Sequence, residues 1–450
     1  MKKLLHSKDR GVLRGIDYED PIIVYRGERV LSALRKLRGD EGNITYSLAI
    51  DVFYSYYLPL PVLEVEDNIP KSKRLHYQLI ASMLTDPYVD QVKAHTIADS
   101  ATSMVMAVSY LEKVLELLEQ HGLGFGEEGG GESQKGIGMS GRGESEGEEE
   151  YEEQKKLIQE ISREAMRRAA EEAETAKKIQ RLAQGLSAGI GSSLMFEERV
   201  HEVLRLARNT DVRRILHLLS GLPKHSIRAR HKVTRHPRGE LRGYEHGGDI
   251  ERIVPSEIAL PPEYFNVKFA ENRLLLYEKV LPENWGPLYI LLDKSGSMDG
   301  AKMLWAKAVT LALYVKAVKE GRPFYMRFFD SVPYPLVKVS RRPRQHEALK
   351  LLEYIARIKG SGGTDISRAI MTACEDIYRG SVRNVSEIVL LTDGEDKISE
   401  PMVRRALMTS NAKLITVMIQ GDNPDLRRLS SKYLIAVKLD KEEALNVVEL

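Results

Sequence analysis

The stretch "LYILLDKSGSMDG", residues 288–300, decides the fold. Leu288 to Leu292 form an unbroken apolar run. The chain then turns through Asp293, Ser295, Ser297, Asp299 and Gly300. Such a run, bounded by turn residues, reads as a strand buried on both faces, as in parallel sheets. The strand ends in one carboxylate and two hydroxyls at two-residue spacing, so the three side chains can aim at one point.

The pattern repeats downstream. Apolar strands are expected at 287–292, 324–329, 387–392, 413–419 and 434–439, with helical runs at 302–319, 345–358, 366–379, 399–409 and 441–449. This alternation implies an α/β domain over 285–450, with a doubly wound, mostly parallel sheet covered on both faces. Functional loops in such a sheet lie at the carboxyl ends of the strands. Three of them carry oxygen donors: Asp293, Ser295 and Ser297; Thr364 and Asp365 in "KGSGGTDIS"; and Asp393, Glu395 and Asp396 in "LLTDGED". No His or Cys stands among them. Hard oxygen donors favour Mg²⁺, with Ca²⁺ or Mn²⁺ as substitutes. A set rich in hydroxyls and poor in formal charge leaves an ion electrophilic, and a carboxylate of another protein is the simplest further ligand.

Each piece also has a plainer reading. Ser295 and Ser297 could cap a helix starting near Asp299. Gly362-Gly363 and Asp393-Gly394 are ordinary turn pairs. Asp299, Asp365, Glu395 and Asp396 read as rim or cap residues, and Asp330 as a strand-end cap. A catalytic Asp293 would call for a second acid two residues on, where Ser295 stands. No G-x-x-x-x-G-K-[ST] phosphate loop is present, so any ATP use belongs to a partner and the chain reads as non-enzymatic.

The D-x-S-x-S strand end, the later Thr after paired glycines and the still later T-D-G resemble the metal-ion-dependent adhesion site of a von Willebrand factor type A domain, a Rossmann-like fold. The resemblance implies five ligand positions: Asp293, Ser295, Ser297, Thr364 and Asp393. A narrower resemblance extends upstream. "GGDIERIVPSEIAL", "ENRLLLYE", "GPLYILLDKSGSM" and "AKAVTLAL" are similar to the ViaA and CoxE-like group. That group implies a partnership with a MoxR-type AAA+ ATPase, its client protein, or both.

The remainder of the 450 residues reads as mainly α-helical. Apolar residues at three- and four-residue spacing imply a helical domain over 1–123, its aromatic-rich 46–65 packing as core. Residues 124–153 hold ten Gly and ten Glu, too little apolar surface to offset ordering entropy, and read as a disordered acidic linker. From 154 to 250 a helical or coiled-coil segment is expected, with a thin seam of Ile158, Ile161, Ala165, Ala169, Ala176, Ile179, Ala183 and Leu186. A Pro- and Gly-punctuated connector follows over 251–284.

The same helical segment contains a basic run, 224–246: Lys224, Arg228, Arg230, Lys232, Arg235, Arg238 and Arg242. These could meet phosphates, which makes RNA binding the competing reading. Only Tyr244 offers a stacking surface there, so a solvated face or an acidic partner is favoured over nucleic acid. The four His of the run keep no zinc-like spacing with a cysteine. Cys374 is the sole cysteine, so no intrachain disulfide can form, in keeping with the cytoplasm. No apolar stretch reaches the length of a membrane helix.

Overall fold

The computed structural model describes residues 10–39, 44–121, 144–184, 196–220, 233–282, 286–341, 343–380, 386–394 and 396–449. The chain forms two compact units: Met1–Leu218 with Arg344–Arg357, and Leu219–Pro343 with Ile358–Leu450.

The first unit is helical. Tyr46–Tyr57 is buried along all but its last residue, Ser47, Asp51 and Ser55 included, as a central helix enclosed on every side is. Pro21–Arg38 and Ser100–Gln120 pack against it. Tyr88–Thr96 and Ser100–Gln120 are separate helices, divided where Asp99 caps the second by accepting a hydrogen bond from Thr102 N. Six of the eight expected seam residues, Ile158, Ile161, Ala165, Ala169, Ala176 and Ile179, are buried on Glu144–Gln184; Leu186 lies outside the described residues. Small seam residues let this helix approach Ser100–Gln120 closely, and polar contacts fix its register. Tyr110 and Ser162 share a 2.8 Å hydrogen bond, and Arg208 donates to both Glu112 and Glu172.

Three boundaries differ from the sequence reading. Helix Glu144–Gln184 begins ten residues inside the segment read as linker; residues 124–143 lie outside the described ones. Gln345–Arg357, within the expected α/β domain, belongs to the helical unit and packs on Glu144–Gln184. Finally, 233–247 is a strand (β1) rather than helix, paired antiparallel with β2, Leu274–Pro282. The apolar alternation resides in β2, where Leu274 and Leu276 are buried, and β1 follows its partner.

The second unit contains the α/β domain, as expected from sequence. Six strands follow: β3 (Leu288–Asp293), β4 (Phe324–Phe329), β5 (Val337–Val339), β6 (Ser386–Thr392), β7 (Ala412–Ile419) and β8 (Lys432–Ala436). Their order is β5-β4-β3-β6-β7-β8, parallel except for the short edge strand β5. Every residue of β3 is buried, and each such aliphatic side chain contributes roughly 1.5–3 kcal/mol. Helix Ile366–Arg379 lays Ile370, Ala373 and Ile377 against Tyr289, Leu291 and Leu390. From β3 the chain moves to β4 on one side and later returns to β6 on the other. The central pair β3–β6 is therefore the topological switch point, where open α/β sheets open a crevice beyond their carboxyl ends.

Candidate metal-ion site

Asp293 is the last residue of β3 and Asp393 directly follows β6, so the two carboxylates flank the switch point. Both are buried, at 0% and 3% exposure. Asp293 is held from two directions. Ser295 N donates to its Oδ1 at 2.8 Å, and Thr392 Oγ1 donates to its Oδ2 at 2.5 Å. Burial pushes its carboxyl up to about 6, against the pull of those two donors. Thr392 also accepts from Gly394 N at 3.0 Å, which shapes the turn after Asp393.

The two serines do not cap a helix. Ser295 precedes a 3₁₀ turn, Gly296–Met298, without a side-chain cap hydrogen bond, and helix Ala301–Lys319 starts behind Gly300. Their hydroxyls instead lie 3.2 Å from each other. Ser295 is buried, Ser297 exposed and Thr364 half-buried. The candidate donors thus grade from a buried floor (Asp293, Asp393, Ser295) to an open rim (Ser297, Thr364).

Backbone hydrogen bonds tie the first two loops together. Gly296 N donates to Gly362 O at 3.1 Å, and Ser361 N donates to Lys294 O at 2.7 Å. Gly362 has φ +95°, and a Cβ there would sit 3.0 Å from Asp330 Oδ2, so only glycine lets the second loop pass. Asp330 braces that passage. It accepts from Val332 N, Tyr334 Oη and Lys294 Nζ, and its carbonyl accepts from Asp365 N. Burial opposes ionisation of its carboxyl, but these donors outweigh it and hold the group below the usual range. Asp365 caps helix Ile366–Arg379 through Arg368 N. Asp396 Oδ2 accepts from Ile366 N at 2.8 Å, joining the third loop to the second. Asp299 is exposed on the turn. Glu395 lies outside the described residues.

One residue escaped the sequence reading. Lys302, in the first turn of Ala301–Lys319, places its Nζ 3.1 Å from Asp393 Oδ2. The other oxygen, Asp393 Oδ1, is buried without a hydrogen-bond partner. An unpaired buried carboxylate oxygen is costly. It is also what a cation site presents, so the donors fit an oxygen-ligated divalent ion. Among the described residues no cluster of three or more His, Cys, Asp or Glu could hold a metal.

The basic run is not brought to this site by any described contact. Lys224, Arg228, Arg230 and Lys232 lie outside the described residues, and Arg235, Arg238 and Arg242 fall on β1.

Comparison with known proteins decides the domain. Residues 288–448 match the family model "von Willebrand factor type A domain". This region is a von Willebrand A domain. The chain is 28% identical over 263 residues to Uncharacterized protein MJ0811 of Methanocaldococcus jannaschii, covering 56% of this chain and 59% of that one. It is 26% identical over 178 residues to Regulatory protein ViaA of Edwardsiella ictaluri, 34% of this chain and 35% of ViaA. That similarity agrees with the grouping implied by the upstream motifs. In both cases the match spans less than two thirds of the relative. A solved structure, "von Willebrand factor type A from Catenulispora acidiphila", aligns with 38% of this chain and 42% of that one at 21% identity and TM-score 0.31.

Proposed function

We propose that this von Willebrand A protein is a metal-dependent interaction adaptor without catalytic activity of its own. Asp293, Ser295, Ser297, Thr364 and Asp393 hold a divalent ion, Mg²⁺ in the cell, with Mn²⁺ or Ca²⁺ as substitutes. The ion supplies positive charge for an acidic side chain of a partner. The buried carboxylates form its floor, and the exposed Ser297 and half-buried Thr364 leave the partner's side open. The observation that carries this reading is the unpaired, buried Asp393 Oδ1 at the carboxyl end of β6, the strand that pairs with β3.

Similarity to ViaA, a regulatory protein by its name, supports a regulatory role here. The partner is then a MoxR-type AAA+ ATPase, its client, or both. No helix among the described residues is long and apolar enough to cross a membrane, and the proposed setting is the cytoplasm. Two measurements test the reading. Mg²⁺ or Mn²⁺ raises the melting temperature of the intact chain and does not raise that of Asp393→Ala. Binding to the MoxR-type protein disappears on chelation. Metal-independent binding would remove the bridging role.

A further inference from the structure

We propose that Lys302 is a built-in counter-cation that weakens ion binding at this site, leaving a bound ion dependent on the partner's carboxylate. The inference rests on the donors being a metal site. Lys302 is fixed in place by its helix: Gly300, at φ +79°, turns the chain into Ala301–Lys319, and the neighbouring Met303 and Trp305 are buried. The Trp305 indole donates to Asp440 O at 3.0 Å, which locks the helix start against the end of the domain.

From that anchored position the ammonium reaches a carboxylate that is almost fully buried. Their side-chain exposures are 23% and 2%. Lys302 thus neutralises one of the two formal charges in the donor set, holding Asp393 Oδ2 while Oδ1 keeps no hydrogen-bond partner. A divalent ion at these donors meets the repulsion of a cation a few ångströms away in a poorly solvated setting, where such repulsion is strong. With both carboxylates ionised, the charges of Asp293, Asp393, Lys302 and the ion sum to +1. The site then remains cationic after loading, and an incoming carboxylate completes its neutralisation.

The test is Mn²⁺ binding to the purified full chain, by calorimetry and by paramagnetic resonance. Lys302→Met keeps the apolar stem and removes the charge; its affinity for Mn²⁺ rises about tenfold or more. Lys302→Arg keeps the charge and stays within about threefold of the wild type. Lys397, exposed on the third loop, controls for a general field effect, and Lys397→Met changes the affinity less than about twofold. Unchanged or weaker binding by Lys302→Met overturns the inference while the metal site stands. So does an equal gain in Lys397→Met. If neither wild type nor Lys302→Met binds Mn²⁺, the site reading and the inference fall together.

Discussion

Asp51, in the helical unit, and Asp393, in the α/β unit, are aspartates of nearly equal depth and opposite meaning. Asp51 is fully buried and both its oxygens are used by the chain. Val12 N donates to Oδ2 at 2.6 Å, His76 Nε2 lies 2.8 Å from the same oxygen, and the Tyr18 hydroxyl donates to Oδ1. Gly11 makes this closure possible, since a Cβ there would fall 2.2 Å from Asp51 Oδ2. Asp393 has a lysine on one oxygen and nothing on the other. A buried carboxylate completed from within the chain holds the fold together. One left incomplete at a switch point, with an open rim above it, is available to something from outside.

The largest effect should come from breaking the completed one. Asp51→Ala leaves the buried Val12 N without its acceptor and removes the carboxylate beside His76 Nε2 and the Tyr18 hydroxyl, and should cost about 3–5 kcal/mol. Denaturant unfolding followed by helical signal measures this. Gly11→Ala should act in the same direction through the clash. A loss below about 1 kcal/mol for Asp51→Ala would show that the knot is not closed as described.

Asp393→Ala should do the reverse. Without metal it removes an unpaired buried oxygen and also the acceptor of the Lys302 ammonium, two opposing changes, so stability shifts by less than the loss at Asp51. With Mn²⁺ at about one hundred times the dissociation constant, the wild type should gain about 2.7 kcal/mol and the variant nothing. A variant that still responds to Mn²⁺ would place the ion elsewhere.

The contrast also sets what the sequence could reveal. Strand β3 and its donors were legible because periodicity and turn chemistry are local: five apolar residues, then Asp293, Ser295 and Ser297 within five positions. Asp393 was legible as a strand end because it follows β6 at the same sheet edge as Asp293, whereas Thr364 lies in the loop between Gln345–Arg357 and Ile366–Arg379 and was marked only by its paired glycines. The Lys302–Asp393 contact spans 91 positions, and nothing local marks that lysine among the others of its helix. Asp51 was hidden likewise, with partners 39 and 33 positions away. β1 was misread because its strand character comes from pairing with β2, and the three-residue edge strand β5 is too short for any alternation.

A further difference between the two carboxylate settings is electrostatic. Asp293 has a folded value of about 6, above its ordinary 3.8. Between those values the folded chain binds more protons than the unfolded one. Its contribution is full below the unfolded value and is lost as pH rises through about 6. In chelator, stability should therefore fall by of order 2 kcal/mol from pH 4 to 7, and Asp293→Asn should flatten that component. Saturating Mn²⁺ should offset the fall, since the ion requires the ionised carboxylate. Equal pH slopes for wild type and Asp293→Asn would sink this account.

The smallest effect on the fold should come from the rim, where the site differs most from the sealed Asp51 knot. Ser297 is exposed, and its hydroxyl contacts only Ser295 Oγ among the described hydrogen bonds. Ser297→Ala should leave stability within about 0.5 kcal/mol of the wild type in chelator. If the hydroxyl is a ligand, the same change should weaken Mn²⁺ binding about tenfold. The knot has no such position, because each atom that touches Asp51 also supports the fold. A Ser297→Ala chain with unchanged Mn²⁺ affinity would move the ion inward, onto Asp293, Ser295 and Asp393, and close the side through which a partner carboxylate is proposed to enter.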